Sequence, residues 1–173
     1  MINDNFSFSL VSNTLNNDVN KNLLCKEFRL NSGKEIEKLS HGTLVKGVCE
    51  TKQLQNLIQL QLLFDDLQHN QAIILGTHEA KGQYNIASKK YKESNPYQQL
   101  VTRDKNNFSF NAGKSLMMLD FDGHPLLDEY TVKTFRKMII QLFPFLKNIE
   151  MLIVPSSSAN IYRSDTDAPP LTN

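Results

Sequence analysis

Tryptophan is absent from this chain and cysteine is scarce. The 173 residues include no tryptophan and only two cysteines, Cys25 and Cys49. The two cysteines are far apart and match no metal-ligand spacing, so they predict free thiols. Free thiols are typical of a reducing compartment, and we therefore expect a cytoplasmic protein.

Long apolar runs and a targeting signal are also missing. No apolar run approaches the length of a membrane span, which excludes a transmembrane helix and a membrane partner. Residues Met1–Asn5 have neither the basic flank nor the apolar core of a secretory signal. The net charge of +1 gives no global signal for nucleic acid, and the hydrophobic fraction of 40% is enough for the core of one domain.

The hydrophobic pattern divides the chain into a leader and a folded domain. Residues 1–40 are rich in Asn, Ser and Lys, which predicts a loosely ordered leader with one short helix near 20–28. Residues 41–173 are predicted to form the domain. Its first half is expected to contain a strand at 42–49, a helix from an N-cap at Thr51 to Leu67, a strand at 71–76 and a long irregular stretch at 77–111.

Positive charge is concentrated in the stretch from Lys81 to Lys105. It carries six cations against Glu93 and Asp104, and four aromatic residues lie within it or next to it: Tyr84, Tyr91, Tyr97 and Phe108. Cations interleaved with aromatic rings can line a groove for single-stranded nucleic acid or nucleotides. An ordinary solvated loop with a few lysines is the alternative interpretation.

An apolar run ending in two aspartates is the most informative motif. Residues 115–122 (SLMMLDFD) are predicted to form a strand, and alternation along a strand puts Asp120 and Asp122 on the same face. Two carboxylates held this close repel each other, and a divalent cation relieves the repulsion. The pair therefore predicts a Mg²⁺ or Mn²⁺ site that handles phosphates, although a strand that simply ends in an acidic turn has the same pattern.

The second half of the chain predicts a βαβ unit. A helix from Leu127 to Phe143 and a strand at Met151–Val154 follow the aspartate strand. We therefore expect an α/β (α+β) fold with a mixed, partly parallel sheet, flanking helices and a C-terminal βαβ unit. Ligands gather at the carboxyl ends of such strands. Both the aspartate pair and the serines Ser156, Ser157 and Ser158 fall there, and hydroxyls and turn amides can donate to phosphate oxygens.

Three segments together resemble the N-terminal part of replication primases of the archaeo-eukaryotic type found on bacterial plasmids and mobile elements. They are TRDK at 102–105 with FSF at 108–110, LMMLDFD at 116–122 and IVPSSSANIY at 153–162. The resemblance covers about residues 70–173, and its most specific part is the aspartate motif. By position it implies that Asp120 and Asp122 are metal ligands, and that Ser156, Ser157 and Ser158 lie near the incoming nucleotide.

The chemistry that this resemblance implies is nucleotidyl transfer in DNA replication, with two divalent metals at the reacting phosphates. Arg103 and Lys105 are candidates for contacts with the template or the triphosphate. The implied partners are nucleoside triphosphates, a single-stranded DNA template and a helicase or another replication protein.

The sequence lacks two later motifs of that family. The family continues with a histidine-bearing strand and a further acidic ligand, which this sequence does not supply: His41, His69 and His78 lie upstream of the aspartates and His124 directly follows them. We therefore expect a fragment with an incomplete site and little or no polymerase activity of its own.

Two other functions fit parts of the sequence. The segment LDFDG at 119–123 resembles the motif of haloacid-dehalogenase-like phosphatases, in which the first aspartate is a nucleophile and the second an acid/base. Against this, His124 and Pro125 replace the usual residues and no lysine follows the serines. The other alternative is a non-catalytic module that binds single-stranded nucleic acid through the basic, tyrosine-containing stretch.

Overall fold

The computed structural model describes residues 5–16, 21–33, 35–40, 42–80, 82–110, 113–120 and 132–154. The chain divides into two compact units, Met1–Met117 and Met118–Asn173. The first unit contains all seven strands of the described residues and two helices, and the second contains one α-helix and a 3-10 helix.

The strands of the first unit are β1 (Phe6–Asn13), β2 (Lys26–Leu30), β3 (Ile36–Ser40), β4 (Lys46–Leu54), β5 (Gln71–Ile74), β6 (Gln83–Ala87) and β7 (Val101–Thr102). Its helices are α1 (Leu57–Asp66) and α2 (Lys89–Ser94). Five strands form one sheet in the order β5-β1-β4-β6-β7, and β2 pairs with β3 in a separate two-stranded sheet. Pairing in the large sheet is antiparallel except between β6 and β7, which are parallel.

The core of the first unit is built around β1. This strand pairs with β4 on one side and β5 on the other, and almost all of its residues are buried. Val11, Cys49 and Ile86 come from three adjacent strands and form a buried cluster with Leu44. The buried Ser9 hydroxyl donates a 2.8 Å hydrogen bond to the carbonyl oxygen of Gly76, which ties β1 to the segment after β5.

Residues 6–13 belong to the segment for which the sequence predicts a loosely ordered leader. The structure places them instead in the most buried strand of the sheet. Strand β2 pairs with β3 and begins at Lys26, within the segment 20–28 for which a short helix was expected. The alternation of Phe6, Phe8 and Leu10 with serines is the signal that the Asn- and Ser-rich composition hides, since period-two alternation is typical of a strand.

The predicted strand at 42–49 and helix at 51–67 are both present with shifted bounds. Strand β4 extends to Leu54, so Thr51 lies within it and is not the N-cap. The N-cap of α1 is Asn56, whose side chain accepts a 3.0 Å hydrogen bond from the amide of Gln59. Helix α1 packs on β4, and the predicted strand at 71–76 is confirmed as β5.

The stretch 77–111, expected to be irregular, contains a β6-α2-β7 unit. Ser88 caps α2 by accepting a 3.2 Å hydrogen bond from the amide of Tyr91, and the chain then returns to pair β7 in parallel with β6. The strands are short and carry many polar residues, which is why their periodicity is weak in the sequence. A βαβ unit is therefore present, upstream of the one that was predicted.

The second unit contains α3 (Val132–Leu142) and a 3-10 helix (Pro144–Asn148), with Ile139 and Leu146 buried. Helix α3 confirms part of the predicted helix at 127–143, of which residues 127–131 lie outside the described residues. The two strands expected on either side of this helix, which would complete a C-terminal βαβ unit, are not formed at residues 115–120 and 151–154. Both segments adopt no regular secondary structure. A short apolar run indicates burial without specifying a partner strand, and pairing is what makes a strand.

The fold class predicted from the sequence is confirmed. The protein combines a mixed sheet, with parallel and antiparallel strands, and a few helices, which is an α+β arrangement. None of the helices in the described part of the chain has the length and apolar character needed to cross a membrane.

Candidate functional site

Asp120 lies at the end of an exposed segment. Residues 113–120 have no regular secondary structure, and Met117, Met118 and Leu119 are all exposed, Met118 by 68%. The side chain of Asp120 is also exposed. The other members of the predicted metal and nucleotide site, Asp122, Ser156, Ser157 and Ser158, lie outside the described residues.

Residues 115–120 do not form the strand that was expected to orient the aspartate pair. Two residues one position apart point to the same side only where the backbone is an extended, paired strand. Because residues 115–120 are not such a strand, alternation along a strand does not orient the carboxylate of Asp120. The prediction of a metal site at Asp120 and Asp122 therefore rests on the carboxylate chemistry of the motif and on the exposure of Asp120.

A cluster of metal-ligating side chains is absent from the described part of the chain. Among residues 5–16, 21–33, 35–40, 42–80, 82–110, 113–120 and 132–154, no three His, Cys, Asp or Glu side chains are grouped closely enough to hold an ion. The described residues alone therefore show no such ligand group around Asp120. Mg²⁺ is commonly bound through one or two carboxylates together with substrate phosphates and waters, which fits the Asp-x-Asp motif.

Arg103 and Lys105 are placed by a tight turn after β7. Both side chains are exposed, and Asp104 between them organises the turn. The Asp104 carboxylate accepts a hydrogen bond from the Thr102 hydroxyl, and it also accepts from the amides of Asn106 and Asn107 at 2.9 and 3.2 Å. The Thr102 hydrogen bond, followed by the backbone amides, holds the pKa of Asp104 below its ordinary value. The Asp104 carboxylate is thus engaged in hydrogen bonds within the turn, while the side chains of Arg103 and Lys105 on either side of it are exposed.

This turn lies at one end of the sheet, where three strands start or stop together. The register pairs Lys46, the first residue of β4, with Ala87, the last residue of β6. Ala87 in turn pairs with Thr102, the last residue of β7. Six cations follow or occupy these strand ends, and we call this set the basic edge: Lys46, Lys89, Lys90, Lys92, Arg103 and Lys105.

Lys46 is the member of the basic edge that sequence reasoning missed. Its ammonium nitrogen lies 5.9 Å from the centroid of the Tyr91 ring on α2, within the range of a cation–π interaction. The residue is distant in sequence from the Lys81–Lys105 stretch, and only the pairing of β4 with β6 brings it there. No local pattern could have identified it.

Two of the aromatic residues within or next to the predicted basic stretch, Tyr84 and Phe108, pack against the hydrophobic core. Tyr84 is half-buried, packs against the buried cluster and has its ring centroid 4.9 Å from that of His78. Phe108 packs against the same cluster. Burial raises the pKa of the Tyr84 hydroxyl and that of the Cys49 thiol above their ordinary values. Both groups are therefore kept protonated at neutral pH, which argues against a nucleophilic role for Cys49.

The predicted site residues that the structure describes thus fall into two sets. Arg103 and Lys105 share the basic edge of the first unit, and Asp120 belongs to the second unit. Comparison with protein-family models, curated proteins and solved structures finds no match to this chain.

Proposed function

We propose that this chain carries the first metal-binding motif of a primase-type nucleotidyltransferase, with Asp120 and Asp122 as ligands of Mg²⁺ or Mn²⁺. The observation that carries the proposal is the accessibility of Asp120. Its side chain is exposed, and it forms no ion pair or hydrogen bond with another residue of the described ranges. A carboxylate that has no cationic partner among the described residues, two positions from a second carboxylate, is suited to a divalent cation.

The chemistry follows from the charge of the reacting groups. A bound cation would neutralise charge on the α-phosphate and on the pyrophosphate that leaves. The part played by this chain is to hold the cation through Asp120 and Asp122, with Ser156, Ser157 and Ser158 as donors to the nucleotide phosphates. Nucleoside triphosphates, a single-stranded DNA template and a helicase or another replication protein are the partners that belong to this proposal.

Metal-dependent nucleotide binding tests the proposal without requiring turnover. The melting temperature of the wild type is measured with and without MnCl₂ plus a deoxynucleoside triphosphate, and the titration is repeated by calorimetry. A ligand present at a hundred times its Kd stabilises the folded state by about 2.7 kcal/mol. We expect this stabilisation in the wild type and its loss in Asp120→Asn and in Asp122→Asn.

The matched control is Asp66→Asn, since Asp66 is also an exposed aspartate and lies at the end of α1. This variant should keep the full metal-dependent shift. Equal shifts in all four proteins would remove the metal role from the aspartate pair. Hydrolysis of a phosphate monoester by the wild type, lost in Asp120→Asn, would instead favour the phosphatase alternative.

A further inference from the structure

The basic edge is a continuous feature of the sheet. Neighbouring strands lie about 4.8 Å apart, so the row of strand ends from β4 through β6 to β7 spans about 10 Å. Lys46, Ala87 and Thr102 are aligned across that row by backbone pairing. Lys46 and the cations that follow Ala87 and Thr102 are therefore brought to one end of the sheet, although Lys46 and Arg103 are widely separated in sequence.

The charge of this edge is available to a partner. Five of its six cations are exposed and Lys46 is half-buried. None of the six forms an ion pair with a carboxylate within the described part of the chain, where the ion pairs Arg29–Glu27 and Lys52–Glu50 lie on β2 and β4. Two acidic residues, Glu93 and Asp104, belong to the same segments, and the Asp104 carboxylate is engaged by its own turn. The edge therefore keeps an excess of positive charge.

Aromatic rings accompany the cations. Tyr97, in the connection between α2 and β7, is 100% exposed. Tyr91 is half-buried near Lys46. Tyr97 thus lies in sequence between α2 and β7, the two elements that carry or precede most of these cations. Exposed aromatic rings combined with cations are typical of proteins that hold single strands, since the cations follow the phosphates and the ring stacks on an unpaired base. A duplex keeps its bases stacked on each other and offers no such partner to a tyrosine.

We propose that the basic edge binds single-stranded DNA, with its cations on the phosphodiester backbone and Tyr97 stacked on a base. This inference rests on the proposed function for the choice of DNA, and on the described residues of the first unit for the surface. It deepens that function by naming the part of the chain that holds the template.

Fluorescence anisotropy with a labelled oligothymidylate tests the proposal on the full chain. The basic-edge variant carries Lys89→Gln, Lys90→Gln, Arg103→Gln and Lys105→Gln. The matched control carries Lys26→Gln, Arg29→Gln, Lys38→Gln and Lys147→Gln, which removes the same charge at four other exposed positions. Both variants change only exposed side chains, and circular dichroism verifies that they are folded.

The wild type should bind with a salt-dependent affinity, and the basic-edge variant should bind at least about tenfold more weakly in 0.1 M salt. Each lost phosphate contact lowers the slope of log K against log salt by about 0.7 for single strands, so four lost contacts lower it by about 3. The control variant should keep the wild-type affinity to within about twofold. Tyr97→Ala should weaken binding at least about fivefold, the lower end of base stacking.

Equal losses in the basic-edge and control variants would overturn the proposal, because net charge alone would then explain binding. Tighter binding of a duplex or of an oligouridylate would overturn the assignment to single-stranded DNA. The double variant Asp120→Asn, Asp122→Asn, measured in EDTA, separates the two proposals. Unchanged DNA binding in that protein supports DNA binding by the basic edge, whether or not the metal-dependent shift in melting temperature is observed. Loss of DNA binding would overturn the proposal that the basic edge binds DNA without a metal.

Discussion

Strand β1 and the segment 115–120 make an instructive pair. Both are short, both are rich in large apolar side chains, and both end in a polar residue, Asn13 and Asp120. In β1 the side chain of Phe8 is 0% exposed, whereas Met118 is 68% exposed. The difference lies in their neighbours, since β1 has β4 on one side and β5 on the other, and residues 115–120 belong to no sheet.

An apolar segment is buried only where other parts of the chain pack against it. Backbone groups in β1 are satisfied by two ladders, and its side chains are covered by residues from elsewhere in the chain. The free energy gained by burial is proportional to the apolar area removed from water. Two similarly apolar segments therefore contribute differently to stability when one is buried and the other is exposed. Substitutions in the two regions should therefore differ sharply.

The largest effect is expected from truncating the buried ring of β1. Phe8→Ala should lower the free energy of unfolding by about 3–5 kcal/mol, because it removes buried apolar area and leaves a cavity. Met118→Ala, made on an exposed side chain, should change it by less than about 0.5 kcal/mol. Urea unfolding followed by circular dichroism measures both, and similar losses would show that the two segments are equally buried in solution.

A smaller effect is expected at Gly47, where β4 pairs with the end of β1. A Cβ atom on Gly47 would lie 2.4 Å from the carbonyl oxygen of Ser12, which is backbone and cannot turn aside. Gly47→Ala should therefore cost about 1–3 kcal/mol, the range for overpacking. The control Gly42→Ala introduces a methyl group with nothing within 4 Å and should be nearly neutral. Equal midpoints in urea for the two variants would mean that β1 and β4 can separate without cost.

The smallest effect is expected at the exposed turn after β7, and it depends on pH. The hydrogen bond from Thr102 and the turn amides lower the pKa of Asp104 in the folded protein, so the turn favours the carboxylate. This contribution is present above the ordinary aspartate pKa and is lost as the pH falls below about 4. Asp104→Asn should therefore reduce the difference in urea midpoint between pH 6 and pH 3. Thr102→Val should reduce it in the same direction, and an unchanged difference in both variants would contradict the turn's role.

Several elements could be predicted because their signals are local. The apolar residues of α3 recur at helical spacing, and β5 is a short apolar run stopped by Gly76. Asp120 is exposed, and its role as a metal ligand stays a prediction. By contrast, β1 could not be predicted from composition, because residues 1–40 are rich in Asn and Ser. The β6-α2-β7 unit could not be predicted because its strands are short and polar. The basic edge could be predicted only in part, because Lys46 reaches it through strand pairing and not through proximity in sequence.

The sequence by itself determined the α+β class, the position of helix α3, the run of cations before residue 105 and the aspartate motif, since each depends on residues close together along the chain. Only the tertiary structure decided which apolar segments are buried and which charges share a surface. The physical reason is that strand pairing and burial depend on residues distant in sequence, so that Phe8 is enclosed, Met118 faces solvent and Lys46 joins Arg103 at one end of the sheet.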